Sequence, residues 1–150
     1  MLNAGSRRME NSMESISRPA FLPHLGELMA FVSSFAERNG ASPTTVNQLE
    51  LALEETLVNI ISYAYEGQEK VGEINISCDC KPENTLQIRI ADTGDPFNML
   101  EREEPDTSLP LEERPIGGLG ILLVKKLMDK VSYERKDGQN IIMLEKKKSD

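Results

Sequence analysis

The chain has 150 residues, enough for one domain with its own core, and 39% hydrophobic and 28% charged residues are ordinary for a soluble globular protein. A formal net charge of −8 argues against a nucleic-acid partner, which would require a clustered basic surface. No apolar run approaches the roughly 18–20 residues that span a bilayer and no signal-peptide core opens the chain, so a cytoplasmic protein without a membrane partner is expected.

Residues 1–12 are polar and unpatterned and are expected to be disordered, leaving a single domain over 13–150. Met13–Ser17 reads as a short first strand. From Pro19 to Asn39 apolar residues recur at helical spacing (Leu25, Leu28, Met29, Val32, Phe35, Ala36), with Gly40 as the stop. Ser42-Pro43 then starts a second helix, a hydroxyl cap before a proline at the first helical position, running to about Ala64. Ile74, Ile76, Cys78 and Cys80 alternate, followed by a turn at Lys81–Asn84 and by Leu86, Ile88 and Ile90, which is a β-hairpin pattern. Cys78 and Cys80 share a strand face and are poorly placed to bridge, and the only histidine, His24, is far away in sequence. Reduced thiols are expected, with neither a disulfide nor a zinc site.

Between Asp95 and Pro115 four prolines and many acidic residues occur without periodicity, so about 95–116 is expected to be a mobile, functional loop of the lid type. Gly117-Gly118 opens a third helix, and a second hairpin turns at Asp137-Gly138 between Val131–Arg135 and Ile141–Glu145. Lys146 to Lys148 read as a solvated end. The order β-α-α-β-β-lid-α-β-β predicts an α+β two-layer sandwich, with a mixed, mostly antiparallel sheet covered by helices on one face.

The second helix carries two stripes. Val46, Leu49, Leu53, Leu57, Ile60 and Ala64 form an apolar one that should face the sheet. Gln48, Ala52, Glu55, Asn59 and Ser62 form another, with Glu55 and Asn59 four apart and therefore stacked on one face. The solvated side of an amphipathic helix would account for that pair. So would a site in which Asn59 offers an amide oxygen to Mg2+ while Glu55 acts as a base, since magnesium commonly completes its shell with water and substrate phosphates.

Two glycine-bearing segments corroborate the second possibility. Asp92-Thr93-Gly94 after a strand is in general a turn, but Asp92 could accept from the exocyclic amine of adenine, and Gly94 would let the base approach the backbone. Gly117-Gly118-Leu119-Gly120 precedes a helix, where exposed N–H groups and the positive end of the helix dipole suit a phosphate. Neither a P-loop nor a dinucleotide-binding fingerprint is present.

Glu-x-x-x-Asn on a helix, Asp-x-Gly after a strand and Gly-x-Gly before a helix, in that order, resemble the Bergerat-fold ATPases that include gyrase, Hsp90, MutL and histidine kinases. Three stretches, Glu54-Glu55-Thr56-Leu57-Val58-Asn59, Ile90 to Phe97, and Arg114 to Ile121 continuing through Leu127-Met128-Asp129 to Tyr133-Glu134-Arg135, look like the boxes of the anti-sigma factor serine kinase branch. The resemblance covers about residues 13–147. It implies ATP or ADP as ligand, Mg2+ on Asn59, Glu55 as general base, adenine held by Asp92 and Gly94, and phosphates lined by Gly118, Leu119 and Gly120. Two positions depart from the branch: Gln139-Asn140 stand where a threonine is expected, and Tyr63 stands where histidine is frequent.

The resemblance thus implies a protein serine kinase that phosphorylates a STAS-type anti-anti-sigma protein and otherwise sequesters a sigma factor, with a second copy of the chain as a further candidate partner. An alternative is a binding module that holds ATP without turnover, for which Glu55 would have no use. A third is the catalytic domain of a histidine kinase, with His24 as acceptor, although a lone surface histidine accounts for that residue better.

Overall fold

The computed structural model describes residues 13–65, 72–101 and 118–149; the expected disorder at 1–12 and most of the expected lid, 102–117, lie outside the described residues. The elements are β1 (Glu14–Pro19), α1 (Leu25–Arg38), α2 (Pro43–Asn59), β2 (Glu73–Lys81), β3 (Thr85–Asp92), α3 (Gly118–Leu127), β4 (Lys130–Lys136) and β5 (Gln139–Lys147). Among the described residues the strands form one sheet in the order β1-β2-β3-β5-β4, and every pairing is antiparallel. The parallel relationship anticipated in a mixed sheet survives only at a distance. β3 and β4 run the same way, joined through α3, with β5 inserted between them.

Helix α1 starts later than the spacing predicts. Pro19 is still paired with Glu73 at the end of β1, and Pro23 sits in a short 3-10 turn, Leu22–His24, so regular helix begins at Leu25. From there Leu28, Val32, Phe35 and Ala36 are buried. The edge strand β1 is tied to α1 by two ion pairs, Arg18 with Glu27 and Arg38 with Glu14.

Helix α2 begins as the sequence predicts: the Ser42 hydroxyl accepts from the Thr45 N–H at 3.1 Å, and Pro43 follows. It does not run unchanged to Ala64. Regular α-helix stops at Asn59, and Ile60–Ala64 form a π-helical turn, a rare geometry seen mostly as single turns in α-helices and frequent at functional sites. Both hairpins form where expected, the second on Asp137 and Gly138, whose positive φ values suit a tight two-residue turn.

One hydrophobic core joins Leu28, Val32 and Phe35 of α1, Leu49, Leu53 and Leu57 of α2, and Ile121 and Val124 of α3 to Ile76, Ile88, Ile90 and Leu144 of the sheet. The three helices therefore cover the same sheet face, as a two-layer sandwich requires. Cys78 and Cys80 are free thiols on that face; burial pushes the Cys78 thiol up to about 12, which keeps it protonated and unreactive.

Two expectations need correction. Lys146 and Lys147 are the end of β5 rather than a solvated tail, and the backbone of Lys148 is also held, its N–H donating to the Asn84 carbonyl and its carbonyl accepting from the Ser42 N–H. The start of the expected lid is anchored rather than loose. Met99 is 1% exposed in a 3-10 turn, Met99–Glu101, and Phe97 and Leu100 pack on the core, so an apolar cluster fixes these residues inside a polar stretch. No helix among the described residues is long and apolar enough to cross a membrane.

Candidate nucleotide site

The sheet register explains where the polar site lies. On the helix-covered face, residues from four strands line up in rows two residues apart. Cys78, Ile88, Leu144 and Val131 make one row, and Ile76, Ile90, Ile142 and Tyr133 the next. The third row is Ile74, Asp92, Asn140 and Arg135. At that end the apolar floor gives way to a carboxylate, an amide and a guanidinium.

Asp92 is 2% exposed, and one carboxylate oxygen, Oδ1, accepts from the Gly94 N–H at 2.9 Å and from Asn140 Nδ2 at 3.0 Å. Burial pushes its carboxyl above the usual range, against the opposing pull of the Asn140 and Gly94 donors and the charge of Arg135. Arg135 reaches across to donate to the Gly94 carbonyl at 2.8 Å. Tyr65 is buried at the end of the π turn, where its hydroxyl oxygen accepts from the Thr93 N–H at 3.1 Å.

Gly94 is glycine because of what it touches. A Cβ there would lie 2.5 Å from the Ala64 carbonyl oxygen, and the same carbonyl accepts from the Asp95 N–H at 2.9 Å. The π turn that follows Asn59 is thereby fastened to the loop that follows Asp92. The ring of Tyr63, in the same turn, packs on Phe97 with centroids 5.5 Å apart.

Asn59 is 2% exposed, and its side-chain nitrogen donates to the Glu55 carbonyl at 2.7 Å, so the amide oxygen is the end turned away from that bond. Glu55 is half-buried, and Ala52 in the same stripe is fully buried. A simple solvated helix face does not fit them. The stripe faces α3: a Cβ at Gly120 would run into the Glu55 carboxylate. Gly118 is the first residue of α3, so the helix start expected to meet a phosphate lies beside Glu55. The site residues expected from the sequence thus fall into two linked groups, Glu55 and Asn59 with Gly118, Leu119 and Gly120, and Asp92 with Gly94. His24 lies outside both groups, half-buried where the 3-10 turn meets α1.

Over residues 19–146 the chain matches the histidine kinase-like ATPase domain. It is 32% identical over 129 residues to the serine-protein kinase RsbW of Bacillus thuringiensis (strain Al Hakam), covering 83% of this chain and 79% of that one. The chain belongs to the histidine kinase-like ATPases, in the RsbW serine-protein kinase family. An RsbW from Listeria monocytogenes serovar 1/2a is 31% identical over 116 residues, 75% of this kinase and 73% of its relative. The crystal structure of the RsbU and RsbW domains of a Mycobacterium tuberculosis protein superposes with a TM-score of 0.64 at 12% identity, over 90% of this kinase and 32% of that longer chain. At that identity the likeness speaks for the fold.

Asn140, Tyr133, Arg135, Tyr65 and Phe97 had no assigned role in the sequence. The signal for Asn140 was present, a polar residue at the head of the core-facing alternation Asn140, Ile142, Leu144, but its meaning depends on the strand order, which pairs β5 with β3.

Proposed function

We propose that this RsbW-family kinase binds Mg-ATP between α2, the Asp92–Gly94 loop and the start of α3, and phosphorylates a serine of a STAS-type anti-anti-sigma protein. It would otherwise hold a sigma factor. The observation that carries the proposal is the contact of the Glu55 carboxylate with the first turn of α3. A base has to stand beside the phosphoryl group it serves, and the N-terminal end of α3 is where N–H groups and the helix dipole favour phosphate.

The donor set suits a nucleotide-borne cation. Among the described residues no group of three His, Cys, Asp or Glu side chains could hold a metal by itself, whereas a buried amide oxygen at Asn59 suits an ion that brings phosphate and water ligands with it. When bound, magnesium would offset the charge on the triphosphate. Glu55 would take the hydroxyl proton of the incoming serine, Asn59 would orient the metal-bearing end of the nucleotide, and Asp92 would accept from the adenine amine. Oδ2 of Asp92 takes no hydrogen bond among the described residues, and no fully buried polar side-chain atom there lacks a partner, so this oxygen retains contact with solvent and suits that role.

The test is transfer of the γ-phosphate from labelled ATP to a purified STAS partner, with and without magnesium. Magnesium-dependent label on a partner serine is expected. Tight ATP binding without transfer to any STAS protein would instead favour a regulatory binding module.

A further inference from the structure

The Asn140 side chain has every hydrogen-bonding position engaged inside the protein. An asparagine amide offers two donors and two acceptor lone pairs. Here Nδ2 donates to Asp92 Oδ1 at 3.0 Å and to the Asp95 carbonyl at 2.8 Å, while Oδ1 accepts from the Phe97 N–H at 3.0 Å and from the Tyr133 hydroxyl at 2.6 Å. With 2% exposure and all four positions used inside the protein, Asn140 has nothing left to offer a base directly. Its partners are nevertheless the parts that a base would meet. One is the carboxylate that would read the adenine amine, and the others are the backbone on either side of Pro96, at the beginning of the loop that leads away from the pocket.

We propose that Asn140 is the positioning residue of the base pocket, holding Asp92 by one oxygen so that the other is presented to the nucleotide, and fastening residues 95–97 to the sheet with the same amide. The proposal rests on Asp92 reading the base. Without the Nδ2 donor, the Asp92 carboxylate keeps only the Gly94 N–H, which lies on its own loop and moves with it. With the amide in place, the carboxylate is fixed to β5, and the Asp95–Phe97 stem is fixed to the same atom group. Tyr133 completes the arrangement from β4, so three strands converge on one side chain.

A threonine at this position has a single hydroxyl hydrogen and could serve Asp92 or Asp95 at any moment, not both. Asparagine therefore couples the base-reading carboxylate to the loop stem in a way that a hydroxyl cannot.

The groups facing Asp92 are Arg135 and Tyr133 from β4 and Tyr65 from the end of the π turn. Burial raises both phenols, and Asp92 is the carboxyl among these neighbours, its ionisation moved to higher pH by burial.

The experiment measures ADP affinity by calorimetry from mildly acidic to neutral pH for wild type, Asn140→Ala, Asn140→Asp and Asp92→Asn, with circular dichroism as the control for folding. The titration of ADP itself is common to all and cancels in ratios to wild type. Wild type should lose affinity as pH falls, because the amine needs an ionised acceptor. Asn140→Ala should bind at least about ten-fold more weakly at neutral pH, and its loss should begin at higher pH, since a charged acceptor has lost a donor. Asn140→Asp should reverse the slope. The two carboxyls would share a proton at low pH, mimicking the lost donor, and would repel each other as pH rises.

Variants that are weaker by a constant factor, with the wild-type pH profile, would overturn the proposal. Should Ala and Asp fail to fold, Asn140→Thr carries the test through hydrogen exchange. Exchange at the Phe97 amide should accelerate at least about ten-fold relative to wild type, and unchanged exchange there would overturn the proposal. An Asp92→Asn protein that binds ADP as wild type does would instead sink the base-pocket assignment on which this inference stands.

Discussion

Gly94→Ala places a methyl group where the backbone has no room. The new Cβ would lie 2.5 Å from the Ala64 carbonyl oxygen and 2.9 Å from both its carbon and the Ala64 Cβ, and two of those three atoms are main chain. They cannot rotate away as a side-chain tip would. Relief has to come from parting the loop after β3 from the π turn after α2, which also strains the Asp95 N–H bond to the Ala64 carbonyl. Overpacking of this kind costs about 1–3 kcal/mol. At roughly 2–4 °C per kcal/mol for a domain of this size, the melting temperature should fall by about 2–12 °C. Because the parted surfaces carry Asp92 on one side and follow Asn59 on the other, nucleotide affinity should fall as well. Thermal unfolding by circular dichroism and ADP titration by calorimetry measure the two effects on one sample. A Gly94→Ala protein with wild-type melting temperature and wild-type ADP affinity would refute the close-approach account of this glycine.

Other expected outcomes follow from the same geometry. Asp92→Asn should improve or preserve thermal stability near neutral pH while weakening ADP and narrowing the preference for ATP over GTP. The raised carboxyl means that the folded state binds the Asp92 proton more tightly than the unfolded chain, a contribution to stability that is lost as pH rises through the folded pKa. Base recognition has the opposite sign, requiring the ionised form, so a clear drop in melting temperature together with unchanged nucleotide preference would contradict both halves. Gly120→Ala should push the Glu55 carboxylate out of its place, lowering phosphotransfer more than ADP affinity; equal losses in the two would argue that Gly120 serves the nucleotide alone.

Much of the fold was readable because the signals were local. The Ser42-Pro43 cap, the Asp137-Gly138 turn and the strand alternations are each decided within a few residues, and each stands where expected. The misreadings came where tertiary contacts override local pattern. Prolines and acidic residues made 95–101 look loose, yet Phe97 and Met99 find the core. The π turn at Ile60–Ala64 carries no spacing signal of its own, since Ile60 and Ala64 also fit an α-helical stripe. In the site, Glu55 and Asn59 were visible as an (i, i+4) pair, but a pair on a helix says nothing about what it faces. Their burial and the nearness of Gly120 come from the packing of α2 on α3. Asn140 was visible as a departure from the threonine expected in the family and as the polar head of a core-facing alternation, but its four partners come from three different segments.

The central claim, that Glu55 is the base of a serine kinase whose magnesium-bearing nucleotide is held at Asn59, is tested most directly by single-turnover phosphotransfer from Mg-ATP to a STAS partner in Glu55→Gln, with Mg-ATP affinity measured on the same preparation. Glutamine keeps the size and helix propensity of the side chain and removes its capacity to accept a proton. The rate should fall by about 10²–10⁴-fold with affinity little changed, whereas Asn59→Ala should weaken Mg-ATP binding itself. A Glu55→Gln protein that transfers phosphate at the wild-type rate would contradict the account.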